Sequence, residues 1–208
     1  DLLRSRGLGD VYKRQLIKKR KKGILYSVSS WDDKFYNHTN EGAEDFKIDI
    51  SESLENQNWK PFIKPKNEVL IGSCIFLKNW IIRSETSKAL DRLFVRHISK
   101  ESEEELIISN EKVCVPNISL RQKDRNTDEV YIGYSSPKTP SRVYLYNLSK
   151  KTKKLVKEQI IPSGHNPNDY VVERIEFESH DGRLVPLTIT RHKKTKLDGS
   201  ANLLLYGY

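Results

Sequence analysis

From residue 23 onward, apolar and polar positions alternate with a period of two more often than they follow helical spacing. VYIGYSS (130–136) alternates, SPKTPS turns, RVYLYNL (142–148) alternates again, SKKTK turns, and KLVKEQI (154–160) follows. This spells a three-stranded meander whose turns are rich in Ser, Pro and Lys. NWIIRSE (79–85), SKALD, RLFVRHIS (92–99), an acidic KESEEE and LIIS (106–109) repeat the figure. KFYNHTN (34–40), EGAED and FKIDI (46–50) begin it earlier. Aligning Phe35, Trp80 and Val130 gives offsets of 45 and 50 residues. A repeat of that length with about four short strands per unit predicts a β-propeller, with roughly three blades over 23–165. Regularly spaced strands also fit a single β-sandwich, which stays open on pattern alone.

The pattern changes after residue 165. SGHNPNDY (163–170) is rich in Gly, Pro and Asn and marks a domain boundary. VERIEFES (172–179) and RLVPLTITRH (183–192) flank Asp181-Gly182, which predicts a hairpin closed by a type I′ turn. Pro186 assigns that hairpin an edge position. Past KKTKLDGS (193–200), NLLLYGY is apolar without alternation, as a strand buried on both faces would be. A hairpin followed by such a strand is how many α/β-hydrolase sheets begin, with oxyanion-hole donors placed just beyond.

Composition narrows the function. The formal charge of +9 is local: residues 1–22 carry nine Lys or Arg against Asp1 and Asp10, leaving 23–208 at only +2. DLLRSRGLGDVYKRQ (1–15) resembles a translated sequencing adapter and is set aside from fold reasoning. KKRKK (18–22) then reads as a solvated charge run, so nucleic-acid binding is not expected. The longest apolar run, 69–77, is too short to cross a membrane and suits a buried strand. Cys74 and Cys114 are too few for a disulfide framework or a metal site and read as small buried hydrophobes. No cofactor or metal is expected, and the protein reads as cytoplasmic.

SGHNPNDYVVERIEFESHDGRLVPLTITRHKKTKLDGSANLLLYGY (163–208) resembles the propeller-to-hydrolase junction of the prolyl oligopeptidase family of serine peptidases, and within it the oligopeptidase B type. VYIGYSSPKTPSRVYLY (130–146) resembles that family's last blade. The resemblance is strong over 128–208, looser over 23–127 and absent over 1–15. It implies a mostly-β chain: about three blades of a seven-bladed propeller over 16–165, then the first strands of an α/β-hydrolase domain over 166–208. It implies hydrolysis of short peptides after Arg or Lys, with cleavage after Pro as the alternative, and a triad of Ser, Asp and His downstream of residue 208. No G-x-S-x-G elbow occurs in these residues. Tyr208 matches the second tyrosine of the family's YGY motif, whose hydroxyl serves the oxyanion hole. Without the resemblance, Tyr208 reads as an interfacial tyrosine with a wet hydroxyl. A propeller used only as a binding scaffold remains the reading from another class.

Ser163 and His165 lie close together but only in a linker, not in a triad geometry. His180 and His192 read as hairpin-end residues, and Glu103, Glu104 and Glu105 as a charged blade turn. Trp31, Trp59 and Trp80 read as blade anchors.

Overall fold

Alternating side chains need partner strands on either side, and here each strand finds them in its chain neighbours. The structure, a computed structural model, describes residues 16–56, 58–100, 102–119 and 125–207. A first sheet contains β1 (Tyr26–Trp31), β2 (Lys34–Thr39), β3 (Lys47–Ser51) and β4 (Lys60–Ile63), in that spatial order. A second contains β5 (Val69–Phe76), β6 (Trp80–Ser87), β7 (Leu90–His97) and β8 (Glu104–Glu105). A third contains β9 (Val115–Ser119), β10 (Glu129–Ser135), β11 (Arg142–Asn147) and β12 (Thr152–Glu158). All the pairings are antiparallel. Phe35, Trp80 and Val130 stand at the first or second position of β2, β6 and β10, the second strand of each sheet. The three sheets are three propeller blades, each a four-stranded meander.

The chain divides into two compact units, one ending at Pro65 and one starting at Lys66. In the first, Tyr36, Ile48 and Ile63 are buried, Ile48 stands opposite Ile63 across β3 and β4, and Tyr36 meets Phe62 edge-on at 5.1 Å. In the second, the facing sheets of two blades share one core. Leu77, Ile82, Leu93, Val95, Leu106 and Ile108 meet Val130, Ile132, Tyr134 and Leu148. Burying each of the larger aliphatic side chains contributes about 1.5–3 kcal/mol. Trp80 ties the same two blades together by donating Nε1–H to Asp128 Oδ1 at 2.8 Å.

Strand β6 is buried on both faces. Ile82 points into the shared core, whereas Ile81, Arg83 and Glu85 occupy the opposite face and are also buried. Gly72 lets β5 approach β6 beside a bulge at Ile71–Cys74, since a Cβ there would stand 2.9 Å from the Ser84 carbonyl oxygen.

Two expectations need correction. LIIS (106–109) forms no strand. Leu106 and Ile108 are buried in the core, and the short β8 takes the outer position instead. The charged blade turn at Glu103–Glu105 is corrected as well: Glu104 and Glu105 form β8, and Glu103, in the connection before it, pairs with buried Arg83.

A 3₁₀ turn (Pro167–Asp169) leads into the hairpin of β13 (Tyr170–Glu178) and β14 (Leu184–His192), which pair only with each other. Its closure differs from the predicted type I′ turn. Gly182 N–H donates to Ser179 O at 2.9 Å, Ser179 N–H donates to Arg183 O at 2.8 Å, and of Asp181 and Gly182 only the glycine has positive φ (79°). That is a three-residue loop with glycine at the left-handed position, which needs one such residue instead of two. Two-residue turns with both central residues at positive φ occur elsewhere, at Asp32–Asp33 (51° and 56°) and Lys88–Ala89 (49° and 55°).

Candidate functional site

The segment leading to Tyr208 is the first place to look. Tyr208 itself lies outside the described residues, as do residues 1–15. Residues 202–207 are in neither strand nor helix, and Leu203, Leu204, Leu205 and Tyr206 are 86%, 90%, 76% and 81% exposed. The expected inner strand is therefore not formed. A strand apolar at every position is stable only with hydrogen-bonded neighbours on both sides and covering layers above and below. The described residues supply neither.

The linker before the hairpin is built more firmly than its composition suggests. His165 Nε2 lies 2.7 Å from the Lys138 carbonyl oxygen. A carbonyl only accepts, so Nε2 carries the proton. The imidazole stacks on Tyr170 at 5.0 Å, and Tyr170 meets His192 edge-on at 5.6 Å. Asn166 caps the 3₁₀ turn by accepting from Asn168 N–H at 3.1 Å, and Lys193 pairs with Asp169 at 2.6 Å. His165 thus anchors the linker to the third blade, and Ser163 has no part in the arrangement. His180 is exposed, at 3.3 Å from the Ser179 hydroxyl.

A cleft opens between β13 and the third blade. It measures about 710 Å³, with Asn110, Lys112 and Lys138 on the blade side and Glu173 and Arg174 on the hairpin side. Its blade wall is organised by Glu111, which sequence reasoning missed. The carboxylate accepts from Tyr134 Oη and from Thr139 Oγ1, both at 2.7 Å, and so joins the loop after β8 to the Ser136–Thr139 turn. Burial pushes Glu111 up, but hydrogen bonds from Ser136, Thr139 and Tyr134 outweigh it and hold the carboxyl below its ordinary range. A lone glutamate in a polar loop carries no sequence signal for such a role.

The second unmarked group is Arg83. Its guanidinium is fully buried, donates to Glu85 at 2.7 Å and Glu103 at 2.8 Å, and lies 4.8 Å from the Phe94 ring centre. Lys66 adds a second cation on Glu85 at 2.9 Å. This is a saturated ion cluster, which suits structure better than chemistry on a substrate.

Burial pushes the Cys74 thiol up to about 12 and raises that of Cys114 as well, so neither is a reactive thiolate at neutral pH. Among the described residues, no three His, Cys, Asp or Glu side chains gather as a metal site. Of the basic run, Lys18 is engaged with Glu41, while its carbonyl accepts from Tyr26 Oη at 2.7 Å. No helix of the described residues is long and apolar enough to cross a membrane.

Comparison with known proteins places this geometry. The family profile "Prolyl oligopeptidase, N-terminal beta-propeller domain" matches residues 6–159. Prolyl oligopeptidase A of Galerina marginata is 25% identical over 175 residues, covering 84% of this chain and 23% of the relative. Protease 2 of Moraxella lacunata is 26% identical over 195 residues, covering 93% of this chain and 28% of the relative. The chain thus spans about a quarter of the length of these curated relatives. Oligopeptidase B from Trypanosoma brucei, in a closed form with covalently bound antipain, superposes with a TM-score of 0.77 at 21% identity, covering 87% of this chain and 27% of that structure.

Proposed function

Because this chain belongs to the prolyl oligopeptidase family, we propose that it is part of a serine oligopeptidase that hydrolyses short peptides. The observation that carries the reading is the profile match over 6–159, across three four-stranded blades. In this reading residues 16–165 end the propeller, and residues 166–208 begin an α/β-hydrolase domain. The propeller restricts entry to short peptides. The protein works in the cytoplasm.

The chemistry follows from the family resemblance. A serine beyond residue 208 attacks the scissile carbonyl, and a histidine held by an aspartate takes the serine proton and passes it to the leaving amine. The Tyr208 hydroxyl donates to the oxyanion as charge develops on it, beside a backbone N–H near the nucleophile. The 208 residues contain no G-x-S-x-G elbow and are inactive as they stand.

Cleavage after Arg or Lys is the first reading, on the resemblance of residues 173–190 to the oligopeptidase B type. Cleavage after Pro is the second, favoured by the 25% identity to a prolyl oligopeptidase, which matches the 26% to protease 2. The test is to extend the reading frame past Tyr208, express the product, and assay dipeptide amides ending in Arg or in Pro. Hydrolysis of the Arg substrate, blocked by a serine-directed reagent, supports the first reading. Hydrolysis of the Pro substrate alone supports the second. A frame that ends without G-x-S-x-G sinks both and leaves a binding scaffold.

A further inference from the structure

Strand β12 closes the third blade, and among the described residues no strand pairs with its far edge. All seven of its residues, Thr152–Glu158, are exposed. The last strands of the other two blades are blunted: β4 carries Pro61, which has no N–H to offer, and β8 is two residues long. β12 contains neither Pro nor Gly and is long enough to template a further strand.

Its charge is nearly all of one sign. Lys150, Lys151, Lys153, Lys154 and Lys157 crowd the strand and the turn before it. Two of them are used within the molecule: Lys151 pairs with Glu104 at 2.7 Å, and Lys153 Nζ donates to the Ile108 carbonyl and lies 5.4 Å from the Tyr144 ring centre. Glu158, the one carboxylate of the strand, is taken by Arg142 at 2.7 Å. Lys150, Lys154 and Lys157 have no acidic partner among the described residues. Lys157 stands opposite Val143, Leu155 opposite Tyr144 and Lys154 opposite Leu145, so Val156 is the extra residue of a bulge. Simple alternation would send Lys154 and Lys157 to opposite faces; the bulge brings them to one face, together with Thr152.

We propose that the free edge of β12 receives an extended acidic segment of another protein as an added strand of the third blade. Main-chain hydrogen bonds hold the segment, and its carboxylates, at alternating positions, meet Lys154 and Lys157 on their shared face. The same lysines oppose pairing of β12 with a second copy of itself, because like charges placed opposite one another are destabilising. Charge thus makes the edge selective. The inference does not depend on the peptidase reading, because it concerns only the free edge of one blade.

The test titrates the 208-residue chain into a fluorescein-labelled short peptide of alternating Glu and Val, read by fluorescence anisotropy. We expect saturable binding that Lys154→Glu with Lys157→Glu weakens by about tenfold. Lys19→Glu with Lys22→Glu, an equal change of net charge in the basic run, should leave it within about twofold. Successive N–H groups of a strand point to opposite edges, so N-methylation of the Glu amides blocks one edge of the peptide and N-methylation of the Val amides the other. One methylated peptide should lose binding and the other keep it, and this arm needs no substitution in the protein. Absence of saturable binding overturns the proposal. So does equal binding of the two methylated peptides, since no strand is then added. Equal losses in the two lysine pairs overturn it too, as does a short oligonucleotide or a phosphatidylserine vesicle bound as tightly as the peptide, because any anion would then serve.

Discussion

Arg83 Nη2 and Glu103 Oε2 meet at 2.8 Å, with the arginine side chain wholly buried and the glutamate side chain 20% exposed. Glu85 takes the other side of the guanidinium and is itself buried. Removing the arginine takes the cation from Glu103 and leaves buried Glu85 with Lys66 alone. Arg83→Ala should therefore destabilise the chain by about 3–5 kcal/mol. Arg83→Met combined with Glu85→Leu should lie closer to the wild type, because the pair owes much of its apparent worth to the cost of breaking it. Urea midpoints of the three proteins decide the matter; equal midpoints for wild type and Arg83→Ala would show the cluster to be inert.

The same cluster sets an acid limit. Burial pushes Glu85 up, but the hydrogen bonds from Lys66 and Arg83 prevail and hold its carboxyl below the ordinary 4.5. A carboxylate depressed in the folded state stabilises above its unfolded pKa and loses that contribution as pH falls through the folded one. The stability gap between wild type and Glu85→Gln should accordingly be constant near neutrality and shrink below about pH 4. A gap that widens with acid reverses the sign and refutes the assignment.

Glu111 offers a parallel case on the cleft wall. Glu111→Ala leaves the Tyr134 and Thr139 hydroxyls without their acceptor, at a cost of about 1–3 kcal/mol. Tyr134→Phe should cost less than Glu111→Ala, since only one bond is lost. Thermal unfolding of the two variants ranks them, and the reverse order would remove Glu111 from the centre of the network.

Ala89 lies at φ 55° in the turn that carries Lys88. The left-handed conformation costs a non-glycine residue about 1–2 kcal/mol. Ala89→Gly relieves that strain, offset in part by the greater freedom of glycine in the unfolded chain, and should leave the protein slightly more stable. Gly72→Ala should do the opposite by about 1–3 kcal/mol, because its new methyl group would meet the Ser84 backbone. Denaturant midpoints moving in the same direction for both would contradict the two local geometries.

In the extended reading frame, Tyr208→Phe should lower kcat by about 10²–10³ with little change in KM, as loss of one oxyanion donor does. A variant as fast as its parent takes Tyr208 out of the site.

The strand order was readable because it is local. Phe35, Trp80 and Val130 recur at second-strand positions, and alternation names the strands around them without knowledge of their neighbours. What depended on neighbours was lost. Arg83 in IIRSE looks like an outward polar residue until β6 proves to be buried on both faces. Asp-Gly announced a hairpin at 181–182 but not its turn, whereas the type I′ geometry was adopted by Lys-Ala at 88–89, where strand register leaves exactly two residues to reverse the chain. Glu111 acquires its role only from hydroxyls more than twenty residues away. Residues 202–207 carry an inner-strand pattern but lack, among the described residues, the strands that pattern presupposes.

In each blade, hydrogen bonding proceeds strictly from one strand to the next in the chain. Such local pairing lets a blade complete its own backbone bonds as it emerges from the ribosome, ahead of the next one. Its side chains must wait longer: the core that Ile82 and Leu93 join is complete only once Val130 and Ile132 have been synthesised. In the interval between those two moments the blade's core-facing side is open to water, the state in which a growing chain is most prone to aggregate.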